Sequence, residues 1–102
     1  KAKTAAELAA EAEERERQQR QAERQAKKEK DREREKKQRR LQQLEGQIAE
    51  AEAESARLST ELAGEHGNDW QRLNGLVAEQ QKVADRLARL MAEWERLGEE
   101  LA

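Results

Sequence analysis

Two stretches decide the fold: residues 41–62, LQQLEGQIAEAEAESARLSTEL, and residues 73–101, LNGLVAEQQKVADRLARLMAEWERLGEEL. In the first, Leu41, Leu44, Ile48, Ala51, Ser55, Leu58 and Leu62 recur at alternating spacings of three and four. In the second, Leu73, Leu76, Gln80, Val83, Leu87, Leu90, Trp94, Leu97 and Leu101 do the same. That alternation lays an apolar stripe of the coiled-coil type along each of two helices. When the chain is folded back on itself, Leu62 meets Leu73, Leu58 meets Leu76, Ala51 meets Val83, Ile48 meets Leu87, Leu44 meets Leu90 and Leu41 meets Trp94. Each pair of residue numbers sums to 134 or 135. The polar interruptions Ser55 and Gln80 then fall opposite each other, an alignment that two independent helices have no reason to share. The sequence predicts an all-α fold, an antiparallel two-helix coiled-coil hairpin with a long charged N-terminal helical extension. Residues 37–102 are assigned to the hairpin, with its loop at about 64–69, and residues 1–36 to a charged linker, helical or disordered.

The turn is marked by Gly64-Glu65-His66-Gly67-Asn68-Asp69. Gly64 is placed where a left-handed helix C-cap is wanted. Asn68 is the expected N-cap of the second helix, with Gln71 three residues on at capping-box spacing. That helix runs from about Trp70 to Leu101, ~48 Å at 1.5 Å per residue. Trp70 is expected to fold over Leu62 or Leu73 and close the seam, the other placement being an exposed tip aromatic. Ser55 with Gln80 forms a candidate buried polar layer that would set register. Gly46, Gly75 and Gly98 interrupt the helices at roughly 1 kcal/mol each relative to Ala; Gly75, near the loop, is the one that would let backbones pack closely. Trp94 is the largest single anchor, worth ~3–5 kcal/mol on truncation to Ala if well buried. Val77, Ala84 and Met91 widen the second stripe and leave an apolar edge for a partner or a second copy.

Composition sets bounds on function. Of 102 residues, 43% are charged and 2% aromatic, with no Pro, Phe, Tyr or Cys. That is the profile of long helices rather than a thick core. The absence of cysteine excludes disulfides and thiolate metal sites and fits the cytoplasm. No apolar run approaches the roughly 18 residues of a membrane span, and no signal-peptide segment is visible. No Gly-rich phosphate loop is present, the lone His66 is expected to be solvated, and the carboxylates are spread along helix faces with no concave site to perturb them. We expect no enzyme activity, no cofactor and no metal.

The net charge of −2 hides a division. Residues 1–40 carry 15 Lys/Arg and 10 Asp/Glu, whereas residues 41–102 carry 6 and 13. Residues 1–40 contain one Leu, Leu8, and no Ile, Val, Met or aromatic, and the stripe extended backward from Leu41 falls on Lys37, Arg34, Lys30 and Lys27. Nothing there can be buried. The segment is nevertheless rich in acid-to-base pairs four residues apart (Glu11–Arg15, Glu13–Arg17, Glu16–Arg20, Glu23–Lys27, Glu33–Lys37, Glu35–Arg39), each worth ~0.2–0.5 kcal/mol to a helix. A solvated helix, frayed at its start, is expected. The candidate nucleic-acid-binding residues are the cations of its last part: Arg24, Lys27, Lys28, Lys30, Arg32, Arg34, Lys36, Lys37, Arg39 and Arg40. They would meet phosphates by charge alone, since no aromatic accompanies them to stack on bases. Glu29, Asp31, Glu33 and Glu35 interleave with them.

The run Lys37-Gln38-Arg39-Arg40-Leu41-Gln42-Gln43-Leu44-Glu45, then Gly46-Gln47-Ile48-Ala49-Glu50, the short polar loop and the ending Ala92-Glu93-Trp94-Glu95-Arg96-Leu97 together resemble the C-terminal coiled-coil domain of Uup-type ABC-F ATPases. In that family a Trp-Glu-x-Leu motif closes the second helix, as Trp94-Glu95-Arg96-Leu97 does here. The resemblance covers about residues 37–102. It implies a cytoplasmic, ribosome-associated ATPase as the parent, with this domain a non-catalytic accessory that binds nucleic acid, ribosomal RNA or duplex DNA. The chain is expected to be a monomer with nucleic acid and the ribosome as partners and no membrane contact. The alternative is a structural coiled-coil spacer or a protein-docking or dimerisation arm.

Overall fold

The computed structural model describes residues 2–102, which form two helices, α1 (Ala5–Ala63) and α2 (Trp70–Leu101). The chain divides into two units, residues 1–36 and 37–102. The first is the N-terminal part of α1 alone. Its start is capped rather than frayed: the Glu7 N–H donates to Thr4 Oγ1 at 3.1 Å and the Leu8 N–H to the Thr4 carbonyl at 3.0 Å. Thr4-Ala5-Ala6-Glu7 has capping-box spacing, so the signal was present in the sequence. Lys3 also pairs with Glu11. Elsewhere in this unit Arg17 pairs with Glu14, three residues back, rather than with Glu13. Side chains along the segment are exposed, apart from a half-buried Glu11.

The second unit is the hairpin, an all-α antiparallel pair. Its two stripe positions are not equivalent. We label as a the line Leu41, Ile48, Ser55, Leu62 on α1 and Leu73, Gln80, Leu87, Trp94, Leu101 on α2. The line d is Leu44, Ala51, Leu58 and Leu76, Val83, Leu90, Leu97. Every buried residue lies on d: Leu44 and Ala51 are fully enclosed, followed by Leu58, Leu76, Val83 and Leu97. Leu58, Leu76 and Val83 form one cluster, with Leu62 packed on it. The a residues are half-buried, and Trp94 is 39% exposed. The contact between the helices is thus centred on d. Trp94 is not the anchor the sequence suggested, because a two-helix contact covers only one side of an indole at an a position.

The loop also departs from expectation. Gly64 does not adopt a left-handed conformation; its N–H donates to the Glu61 carbonyl at 3.2 Å, tightening the last turn of α1. A Cβ there would lie 3.2 Å from that carbonyl oxygen, so glycine permits the close approach. The left-handed residue is Gly67 (φ +56°), inside a turn closed by the Asp69 N–H donating to the His66 carbonyl at 3.0 Å. His66 is half-buried rather than solvated, its Nε2 2.6 Å from the Glu61 carbonyl. It thereby makes a second contact to the carbonyl that accepts the Gly64 N–H at the end of α1. The N-cap of α2 is Asp69, one residue beyond Asn68: its carboxylate accepts the Arg72 N–H at 3.0 Å. Arg72 then occupies the position where Gln71 was expected to complete a capping box. Trp70 does not fold over the seam and is 69% exposed.

Two further expectations are corrected. Gln80 donates to Ser59 at 3.3 Å, one turn from Ser55, and no polar side chain is buried among the described residues. In place of a buried polar layer there is a partly exposed contact at the edge of the seam. A Cβ at Gly46, Gly75 or Gly98 would meet nothing within 4 Å, so close packing explains none of them.

Candidate nucleic-acid interface

The ten cations picked out in the sequence separate into two groups. Arg40 makes a bidentate pair with Glu93, Nε to Oε1 at 3.0 Å and Nη2 to Oε2 at 2.7 Å. Lys37 reaches Glu100 at 3.3 Å instead of turning to Glu33. Both are half-buried where α1 and α2 pair at the base of the hairpin. The guanidinium fork matches a carboxylate geometrically, which makes Arg40–Glu93 the best-defined ion pair of the hairpin. Hydrogen bonding from Arg40 holds the Glu93 carboxyl below its ordinary value despite the opposing cost of desolvation, and the same bonds raise the Arg40 guanidinium. Lys37 and Arg40 thus close the hairpin, and their charge is already matched.

Arg24, Lys27, Lys28, Lys30, Arg32, Arg34, Lys36 and Arg39 are exposed on α1. The helix sorts them. Arg24, Lys28, Arg32 and Lys36 follow one another every four residues, and Arg20 extends the row by one turn. Such neighbours are ~6 Å apart along the axis. Like charges at this spacing oppose helix formation by roughly 0.2–0.5 kcal/mol a pair. Acidic neighbours three residues away offset that cost: Asp31 beside Lys28, Glu29 and Glu35 beside Arg32, and Glu33 beside Lys36. Glu29 and Glu33 fall on a separate row, where Gln25 donates to Glu29 at 3.5 Å. Arg20 escaped the sequence reading because the charge window opened at Arg24; the four-residue spacing is the signal that includes it.

The hairpin has two unlike sides. Beside d runs the charged line that includes Arg40, Glu93 and Glu100. Beside a, on α2, runs Trp70, Val77, Ala84, Met91 and Gly98, seven residues apart, uncharged and exposed throughout. On this side a groove of about 240 Å³ is lined by Glu45, Ile48, Ala49, Glu52, Met91 and Trp94. The Trp94 indole N–H donates to Glu45 at 3.3 Å across it. Among the described residues no group of three or more His, Cys, Asp or Glu is placed to hold a metal ion, and no helix is long and apolar enough to cross a membrane.

The model of the ABC transporter C-terminal domain family matches residues 32–99, two thirds of the chain. The chain belongs to that family, and it is an accessory domain of an ABC protein. The match bears out the resemblance to the C-terminal domain of Uup-type ABC-F proteins. It begins five residues before the resemblance does, taking in Arg32, Arg34 and Lys36 and leaving Arg24 to Lys30 outside. No curated protein and no solved structure matches the chain.

Proposed function

We propose that this chain is the non-catalytic nucleic-acid-binding accessory of a cytoplasmic, ribosome-associated ABC-F ATPase. In this reading the contact is made by the exposed cations from Arg24 to Lys36, and the partner is structured ribosomal RNA or duplex DNA. The observation that carries it is the row Arg24, Lys28, Arg32 and Lys36, four exposed cations that follow one another at four-residue spacing on one helix. Phosphates neutralised by such a row release their own counterions. The hairpin, with 13 acidic and 6 basic residues over 41–102, repels phosphate and confines the contact to this stretch. Lys37 and Arg40 serve the hairpin rather than the ligand.

The test is fluorescence anisotropy of the full chain with labelled duplex DNA and with structured RNA across a salt series. The comparison variant carries Arg24→Gln, Lys28→Gln, Arg32→Gln and Lys36→Gln. Binding should weaken steeply with salt, and the variant should lose about 3 to 4 units of the log–log salt slope on duplex DNA. A slope unchanged by the four substitutions, or no binding at low salt, overturns the assignment. The tighter of the two ligands identifies the class of nucleic acid.

A further inference from the structure

The hairpin is one helix short on its a side. The apolar arc of each helix spans d, a and, on α2, the next line beyond a. The two helices bury most of d, half-bury most of a and leave the third line exposed. Trp70 is 69% exposed, Val77 52%, Met91 43% and Trp94 39%, and the rest of the line beside a is Ala84 and Gly98. Lines flanking a coiled-coil seam are normally charged, and an uncharged one on the solvent side is the usual mark of an interaction surface. On the opposite side Arg40–Glu93 and Lys37–Glu100 close the seam, so the asymmetry is specific to one edge.

The flank of this edge on α1 indicates the chemistry of what covers it. Glu45 and Glu52 rim the groove one helical repeat apart, and no cation lines it. We propose that this edge docks a basic amphipathic helix. Its apolar stripe would lie along Val77, Ala84 and Met91, and its Lys or Arg side chains would meet Glu45 and Glu52. A second copy of the hairpin is disfavoured, because it would set the same two carboxylates against their equivalents. The chain's own basic stretch does not qualify either, since residues 9–40 hold no apolar side chain larger than Ala. Acidic groups around the groove also exclude nucleic acid, so this surface is independent of the contact proposed above.

Two synthetic 28-residue helical peptides of identical composition, Leu and Lys in heptads, test the idea. In one the leucines form a single stripe; in the other they are scrambled around the helix. Binding to the full chain is followed by tryptophan fluorescence, since Trp94 lines the groove and Trp70 lies on the same edge. The striped peptide should bind at least about tenfold more tightly than the scrambled one, because apolar burial adds to charge only when the stripe is continuous. Met91→Lys should remove that difference, Val77→Lys should do the same, and Glu45→Gln with Glu52→Gln should weaken the striped peptide about tenfold. All four sites are on the surface, and circular dichroism checks that helicity is kept. Equal affinity for the two peptides, or a preference unchanged by Met91→Lys, overturns the proposal. So does a dimer in sedimentation that Met91→Lys dissociates, which would assign the edge to a second copy.

Discussion

Residues 5–36 and residues 37–101 are both helical, yet they are helical for different reasons. The first stretch buries almost nothing and contains a single large apolar side chain, Leu8, itself 52% exposed. Its helix rests on residue choice, a threonine cap and local charge pairs. The second is a tertiary object: Leu44, Ala51, Leu58, Leu76, Val83 and Leu97 are buried only because α2 returns along α1. Helical secondary structure therefore says little about how a segment is held. Burial separates the two, and with it the expected response to mutation.

The largest effect should come from Val83→Pro. A proline inside α2 removes a backbone hydrogen bond and clashes with the preceding turn, at least about 3 kcal/mol before the lost packing is counted. Hairpin helicity should collapse while residues 5–36 keep theirs, as residue-resolved NMR shifts would report. Loss along the whole of α1 would show that the two stretches melt as one unit, and the contrast drawn above would fail.

Next is Leu44→Ala, expected to destabilise the hairpin by about 2–5 kcal/mol in denaturant unfolding, since this residue has no exposed surface. Leu8→Ala, the same chemical change in the uncored stretch, should stay within about 0.5 kcal/mol. Similar values for the two would mean that residues 5–36 have a packing partner in solution. Trp94→Ala should fall below Leu44→Ala despite the larger side chain, because the indole is 39% exposed.

Gly75→Ala should stabilise α2 by about 0.5–1 kcal/mol, since the added Cβ meets no atom and the unfolded chain loses freedom. A rise in thermal midpoint is the readout, and a fall would reveal a close approach absent from the free chain. The smallest effect is that of pH. The Arg40 hydrogen bonds hold the Glu93 carboxyl below its ordinary value. Its contribution is therefore fully present above the ordinary glutamate range and is lost as pH falls through the lowered value. Glu93→Gln should weaken the hairpin at neutral pH and flatten that part of its acid unfolding curve. An unchanged curve would show that solvent screens the pair completely.

The hairpin was legible because heptad spacing is a one-dimensional signal, carried over residues 41–62 and again over 73–101 and doubled by the matching order of the two stripes. The loop was legible only to within a residue or so. Asn68 and Asp69 are both good caps, and the choice fell to Asp69 because the turn from His66 needs Gly67 left-handed and uses up the next residue. The cation stretch was visible as composition, but its division was not. Lys37 and Arg40 look like their neighbours until α2 brings Glu100 and Glu93 beside them.

By itself the sequence determined that the chain is helical, where it turns back, and which residues face the seam, because periodicity and helix propensity act locally. The tertiary structure alone decided which of the two stripe lines is enclosed, d rather than a. It also decided which cations are consumed in holding the hairpin and which aromatic rings remain open. Those outcomes depend on the rotation of one helix about its axis against another. A heptad pattern constrains that rotation only to the width of its apolar arc, and the packing of Leu44, Ala51 and Leu58 against the returning helix sets it within that arc.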